Sequence, residues 1–300
     1  MAADEGAARR LITPVLVTHD SGAILPWSLP PLAGCAEVVV VDNASGDDTR
    51  EVVARMLPQA RILASADNLG FGRANNLGLA QVRTPYALLL NPDARLDEDA
   101  LDALLDAARR HPEAAIVAPV LYDAPGRVGD FFRGPFHAPA SHPAPEPAGD
   151  LCTEFVTGAA MLLRMDLMRG VGFFDPWFFL YFEDDDLCLR VRRAGHPILV
   201  ARGARVEHHV RQSSRPSAGR VYRRAYTMTL SKLYITRKYL GAAAAWRTGL
   251  RIGLGSLPAL LLTLPTLRAD RILRQAGRFW AAVTAPWWLG RPQGWSPRPR

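Results

Sequence analysis

Five short apolar runs in the first part of the chain constrain the fold more than any other feature. They are Val15-Leu-Val-Thr18, Glu37-Val-Val-Val-Val41, Arg61-Ile-Leu63, Tyr86-Ala-Leu-Leu-Leu90 and Ala115-Ile-Val-Ala118. Runs without polar alternation mark strands covered on both faces. Pro14, which cannot donate to a ladder, stands at the start of the first run, where a strand tolerates it. Helical stretches lie between the runs: one opening at Asp42–Thr49 and reaching about Leu57, one over Arg73–Val82, and one over residues 97–110 with Leu101, Leu104, Leu105 and Ala108 on one face. Strands alternating with helices predict an α/β domain, a mostly parallel central sheet flanked by helices.

Three hundred residues, 49% of them apolar, suffice for one large domain with an appendage. The boundary is set by charge. Residues 202–300 carry 19 Arg or Lys against Glu207 and Asp270, a net of +17, so the overall +7 leaves −10 for residues 1–201. We expect a catalytic domain over residues 1–215 and a basic, amphipathic helical region over 216–300. Cys35, Cys152 and Cys188 have no metal-ligand spacing and read as reduced cytosolic thiols. The first ten residues lack the apolar core of a secretory signal. Residues 123–150, rich in Pro and Gly, read as a lid or acceptor loop.

In open α/β sheets ligands sit beyond the carboxyl ends of the strands. The polar residues there are Thr18, then Asp42, Asn43 and Ser45, then Asn91 and Asp93. Asp42 suits a nucleobase N–H, and equally a turn or helix cap. Asp93 suits a divalent cation held mostly by substrate phosphates. The Gly70-Phe-Gly72 turn lacks the third glycine of a dinucleotide fingerprint. The densest chemistry lies at Phe173–Arg190, where an aromatic run meets Glu183, Asp184, Asp185 and Asp186. Acids here suit a helix N-terminus. Aromatics beside them would also desolvate one carboxylate into a working base.

Taken in order, Val17-Thr-His-Asp20, Val38-Val-Val-Val-Asp-Asn-Ala-Ser-Gly46, Asn68-Leu-Gly-Phe-Gly-Arg-Ala-Asn-Asn-Leu-Gly78, Asn91-Pro-Asp93, Gly158-Ala-Ala-Met161 and Gly172-Phe-Phe-Asp175 through Leu187 resemble family 2 glycosyltransferases, above all the rhamnosyltransferase-like members. His19-Asp20 stand where the family usually has Tyr-Asn. The resemblance spans roughly residues 11–210. It implies a GT-A fold, a nucleotide-sugar donor (dTDP- or UDP-linked), a divalent metal (Mg²⁺ or Mn²⁺) and inversion at the anomeric carbon. It further implies that Thr18, Asp42 and Asn43 hold base and ribose. Asn68, Gly70, Arg73 and Asn76 would shape the nucleotide pocket, with Ser45 and Asn91 at its strand ends. Asp93 and a histidine would bind metal, and Asp184, paired with Glu183, would be the base. In Val206-Glu-His-His209 neighbouring side chains of an extended segment face opposite ways. Only one histidine then enters the site, and His208 is favoured.

The implied acceptor is lipid-linked or a growing polysaccharide. A nucleotidyltransferase would want a basic, glycine-rich loop after the first strand, and Thr18-His-Asp-Ser-Gly22 offers one glycine and no lysine or arginine. A non-catalytic nucleotide-sugar-binding module would not need Asp93, Asp184 and a histidine together. For the basic end we expect an anionic membrane surface on the cytoplasmic side, and no nucleic acid. Residues 220–240 line Tyr222, Ala225, Tyr226, Leu230, Leu233 and Tyr234 on one stripe. Ile252–Leu267, interrupted by Pro258 and Pro265, is too short to span a bilayer and suits an in-plane segment, with Trp280, Trp287 and Trp288 at headgroup level. The alternative is that these helices cover the catalytic domain or pair two copies of the chain.

Overall fold

The computed structural model describes residues 6–124, 127–129, 147–209, 218–264 and 268–289, and the side chains of 287–289 lie outside that description. The loop over Ala138–Pro147 therefore falls almost wholly outside it, as do Trp287 and Trp288 as side chains. The strands are β1 (Ile12–Thr18), β2 (Val38–Asn43), β3 (Ala60–Ser65), β4 (Tyr86–Leu90), β5 (Ala94–Leu96), β6 (Ile116–Ala124), β7 (Arg127–Val128), β8 (Leu151–Thr153), β9 (Ala160–Arg164) and β10 (Ile198–His208). The helices are α1 (Ala7–Leu11), α2 (Leu25–Ser28), α3 (Thr49–Met56), α4 (Phe71–Leu79), α5 (Ala100–Arg110), α6 (Met165–Val171), α7 (Glu183–Arg193), α8 (Ala218–Leu240), α9 (Ala242–Thr263) and α10 (Ala269–Leu289).

The chain divides into two compact units. The first, Met1–Phe174 with Asp184–Ser214, is the sheet and its helices. Its main path runs β3-β2-β1-β4-β9-β6-β10-β5. The run β3-β2-β1-β4 is parallel, as the alternating pattern predicts. Beyond β4 the sheet is mixed: β9 enters antiparallel to both β4 and β6, β6 and β10 pair in parallel, and β5 and β8 pair antiparallel to β10. Strand direction is not written in a five-residue apolar run such as β9, so local pattern could not supply it.

Burial follows the pleat. Val38, Val40, Leu88 and Leu90 belong to one apolar cluster, while Val39, Ala87 and Leu89 belong to the other. Successive residues serve opposite faces, so both faces are covered. Pairing of β1 with β2 begins only at Val15, after Pro14, which keeps the missing N–H out of that ladder.

The second unit, Asp175–Glu183 with Arg215–Arg300, is helical. Leu230 and Leu233 of α8 pack on Ala281 and Ala285 of α10, with Tyr226 and Ile252 alongside. The apolar stripe of residues 220–240 is thus largely internal to this unit. Helix α9 runs through Pro258 without a break. Its outer side is apolar: Trp246, Leu250, Leu254, Leu257 and Leu261 are exposed. Among the described residues no helix is long and apolar enough to cross a membrane.

Candidate active site

Three loops at the carboxyl end of the parallel strands are stitched to one another by side chains. Ser45 Oγ accepts from the Asp20 N–H at 3.0 Å, and Asp20 Oδ1 accepts from the Gly46 N–H at 2.8 Å. Asp47 accepts from the Gly22 N–H at 3.0 Å. Asp20 and Ala44 both hold left-handed backbone, φ 51° and 65°, as these tight turns demand. Asn43 Oδ1 accepts from the Leu69 N–H at 2.7 Å, and its amide donates to Asn68 Oδ1 at 3.0 Å. Asn68 Oδ1 also accepts from the N–H of Gly70, whose φ of 81° opens α4. Asn43, Asn68 and Gly70 are thereby held in one hydrogen-bonded turn. The Asn76 amide donates to the Phe174 carbonyl at 2.8 Å while its oxygen accepts from the Phe174 N–H at 3.0 Å. Both ends of that side chain have backbone partners, so it ties Phe174 in place. Arg73 stands in the first turn of α4.

Thr18 and Asp42 are register partners at the ends of β1 and β2. Both are buried, and Thr18 Oγ1 and Asp42 Oδ1 find no hydrogen-bond partner among the described residues. The other Asp42 oxygen lies 3.7 Å from Arg50 Nε. Buried acceptors without partners are costly. A ligand bearing N–H and O–H donors, such as a nucleobase and ribose, would satisfy them.

The turn Asn91-Pro92-Asp93 joins β4 to β5, and β10 pairs with β5 so that His208 stands opposite Ala94. That register brings His208 Nε2 to 3.4 Å from Asp93 Oδ1, both side chains about nine-tenths buried. His209 turns the other way and stacks on Trp27, ring centroids 4.2 Å apart at 17°, while its N–H donates to the Asp93 carbonyl. Of the two histidines, His208 is the one beside the acid. A carboxylate oxygen and an imidazole nitrogen at this spacing suit one divalent cation. Among the described residues no group of three or more His, Cys, Asp or Glu forms a complete metal cage. Two protein ligands fit a cation whose remaining positions are taken by a diphosphate and water.

Asp184 lies in the first turn of α7, with its Oδ2 accepting from the Gly158 N–H at 3.2 Å and its Oδ1 from the Asp185 N–H at 3.0 Å. Burial raises its carboxyl above the ordinary aspartate value, against the lowering pull of these N–H groups. Glu183 beside it is buried too. Asp186 is engaged elsewhere. It receives Arg190 Nε at 2.9 Å, and that guanidinium binds the carbonyls of Val171, Gly172 and Phe173 at the end of α6. So one acid of the run orients a structural arginine, while Asp184 is held by the Gly158 and Asp185 N–H groups. Within the helical unit, Trp177 and Phe178 of the aromatic run pack on Tyr234 of α8.

The two candidate centres share a support that sequence reasoning missed. The Ala159 carbonyl accepts from the Asn91 N–H at 2.9 Å, and the adjacent Gly158 N–H holds Asp184. Asn91 leads into Asp93. One two-residue turn thus links the acid beside His208 with the acid in the first turn of α7. The Gly158-Ala-Ala-Met161 motif was its only visible signal.

An acid–histidine pair and a partly buried carboxylate thus stand at the end of a mixed sheet, in a fold of the GT-A type. Residues 35–171 match the family described as glycosyl transferase family 2. The chain is 29% identical over 239 residues, 67% of its length and 76% of the relative's, to the N-acetylglucosaminyl-diphospho-decaprenol L-rhamnosyltransferase of Mycobacterium tuberculosis. It is 26% identical to the rhamnosyltransferase WbbL of Escherichia coli K12, over 56% of this chain and 71% of that one. In fold it resembles the mannosyltransferase PcManGT of Pyrobaculum calidifontis, solved with GDP-Man and Mn²⁺ (TM-score 0.56, 17% identity, 92% of this chain and 87% of that one). It also resembles TarS residues 1–349 of S. aureus, solved with UDP-GlcNAc (TM-score 0.52, 15% identity, 92% and 91%).

Proposed function

We propose that the chain is an inverting, metal-dependent glycosyltransferase that moves a sugar from a nucleotide donor to a hydroxyl of a lipid-linked or polysaccharide acceptor in cell-envelope glycan synthesis. The observation that carries this reading is the Gly158–Ala159 turn, which ties the Asp93 loop and Asp184 to two consecutive residues. Rhamnose from dTDP-rhamnose is the preferred donor, because the M. tuberculosis and E. coli relatives are named as rhamnosyltransferases. The lipid-linked acceptor follows from the M. tuberculosis name alone.

In a single displacement the acceptor oxygen bonds to the anomeric carbon as that carbon's bond to the diphosphate breaks. The acceptor's proton passes to Asp184, whose raised pKa suits a base poised to receive it. Thr18 and Asp42 hold the base and ribose. A Mg²⁺ or Mn²⁺ ion held by Asp93 and His208 would neutralise charge on the departing diphosphate. The test is a thermal-shift screen of dTDP-, UDP- and GDP-sugars with Mn²⁺, followed by transfer from the best binder to GlcNAc-diphospho-polyprenol. A dTDP-sugar should raise the melting temperature most, and a stronger response to UDP-sugars would move the donor to that nucleotide. No stabilisation by any nucleotide sugar, with no transfer, would overturn the reading.

The same reading seats the helical unit on an anionic membrane surface. On α9 the exposed Trp246, Leu250, Leu254 and Leu261 run along one side, with Arg247 and Arg251 exposed beside them, and α10 adds exposed Arg271, Arg274 and Arg278. Apolar insertion next to arginines suits anionic headgroups, each basic residue contributing about 1 kcal/mol. Full-length protein should co-sediment with anionic vesicles, and Leu254→Glu with Leu261→Glu should weaken this without unfolding. A dimer that buries α9, with no vesicle binding, would refute it.

A further inference from the structure

The segment Asp175–Phe182 leads directly towards Asp184, and one face of α8 grips it along its length. Asp175 Oδ2 receives Lys238 Nζ at 2.7 Å and the Tyr234 hydroxyl at 3.0 Å. Its carboxyl is pulled up by burial, yet the Lys238 ammonium, the Trp177 N–H and the Tyr234 hydroxyl outweigh that and hold it below the ordinary value. Trp177 lies flat on Tyr234, ring centroids 3.8 Å apart at 8°. Further along, Ser231 Oγ donates to the Leu180 carbonyl at 2.9 Å, and the Arg224 guanidinium sits 5.6 Å from the Tyr181 ring centroid. Residues 224, 231, 234 and 238 share a helix face, since they are spaced seven, three and four apart.

The grip ends where the backbone is most unusual. Tyr181 and Phe182 are consecutive non-glycine residues with φ of 71° and 67°. Bulky side chains disfavour this region strongly, and such conformations persist only where the surroundings over-determine them. The residue after next is Asp184. What Lys238, Tyr234 and Ser231 bind is the segment, and their effect on the acid is exerted through it.

We infer that Lys238, Tyr234 and Ser231 are positioning residues. They keep the 175–182 segment in its left-handed turn and thereby set the direction in which α7 presents Asp184. This rests on the reading of Asp184 as the base. It gives the basic C-terminal region a share in catalysis, beyond holding the protein to a surface. Without the grip the turn relaxes toward ordinary backbone, and Asp184 leaves the place where burial raises its pKa and the Gly158 N–H meets it.

The test uses full-length protein, dTDP-rhamnose and GlcNAc-diphospho-polyprenol, with folding checked by circular dichroism. Lys238→Met and Ser231→Ala should each lower kcat, up to about 10²-fold, the cost of misplacing a catalytic group by 1 Å. Donor KM should stay within about twofold, because the nucleotide wall is untouched. The acidic limb of the pH–rate profile should move toward an ordinary carboxylate, and Lys238→Arg should recover most of the loss. A second readout needs no substrate: the pH dependence of carbodiimide labelling at Asp184 should shift the same way. If Asp184→Asn abolishes transfer while Lys238→Met and Ser231→Ala keep wild-type kcat and pH profile, the inference fails alone. If Asp184→Asn retains transfer, the base assignment fails and takes the inference with it.

Discussion

Gly158→Ala tests the shared turn most directly. A Cβ at that position would lie 2.9 Å from Phe71 Cε1 and 3.0 Å from its Cζ. Carbon atoms rest at about 3.5–4.0 Å, so about 0.6 Å has to be found. If Phe71 moves, it disturbs its edge contact with Phe174, centroids 5.7 Å apart at 75°. Overpacking of this kind costs about 1–3 kcal/mol, and each kcal/mol lowers the melting temperature by about 2–4 °C in a protein of this size class. If the turn moves instead, the 3.2 Å bond from the Gly158 N–H to Asp184 stretches to about 3.8 Å, beyond hydrogen-bond range. Asp184 then loses a donor that favours its ionised form, and kcat falls by roughly 10-fold to 10²-fold. Urea unfolding and steady-state kinetics on the same preparation separate the two routes. Adding Phe71→Leu removes the obstacle, so the double variant should be more stable, or faster, than additivity allows. Gly158→Ala with wild-type kcat and a stability within about 0.5 kcal/mol of the parent would refute the close packing and the role drawn from it.

Asp184→Asn should lower kcat by roughly 10²–10⁴-fold with little change in donor binding. Because the folded pKa of Asp184 is raised, the native state holds its proton more tightly than the unfolded chain does, and the ionised group costs stability at neutral pH. Wild type should therefore gain stability relative to Asp184→Asn as pH falls through that raised pKa, which paired urea titrations across pH would show. Chelator should abolish transfer and Mn²⁺ or Mg²⁺ restore it, and His208→Ala should weaken donor binding more than His209→Ala, whose ring stacks on Trp27; the reverse order by calorimetry would sink the choice of ligand. In native protein Cys152, exposed, should react with a thiol reagent at once, while Cys35, raised to about 11 by burial against the pull of Arg9, and the fully buried Cys188 should react only on unfolding.

What could be read from the chain alone follows a physical divide. β1, β2 and β4 announce themselves because strands buried on both faces need unbroken apolar runs, and the polar residues closing them fall at the sheet's edge. The pairing of His208 with Asp93 was half legible: alternation separates the two histidines, but only the register of β10 against β5 says which one meets the acid. The antiparallel entry of β9 was not legible, since orientation is settled by contacts with β4 and β6 and leaves no local trace. Nor was the fate of the aromatic run. Trp177 and Asp175 find Tyr234 and Lys238 far along the chain, partners that no local pattern names. The α8 stripe was visible by period, yet period cannot tell an internal helix face from an exposed one, and the exposed apolar side belongs to α9.

The pairing of β10 with β6 shifts between Ala201 and Arg205, an irregularity of the β-bulge kind. Upstream of it, Ile198–Ala201 lie against Ile116–Pro119; downstream, Arg205–Glu207 lie against Val120–Tyr122. Because side chains alternate along a strand, the number of residues in that irregularity decides which of two adjacent histidines faces Asp93. Removing one residue from 202–204 would carry His209 into the place of His208, leaving a histidine there still. The same slip would turn Glu207 inward where Val206 now lies wholly buried. The doublet thus makes the candidate metal centre tolerant of a one-residue change in strand length, while the core does not share that tolerance.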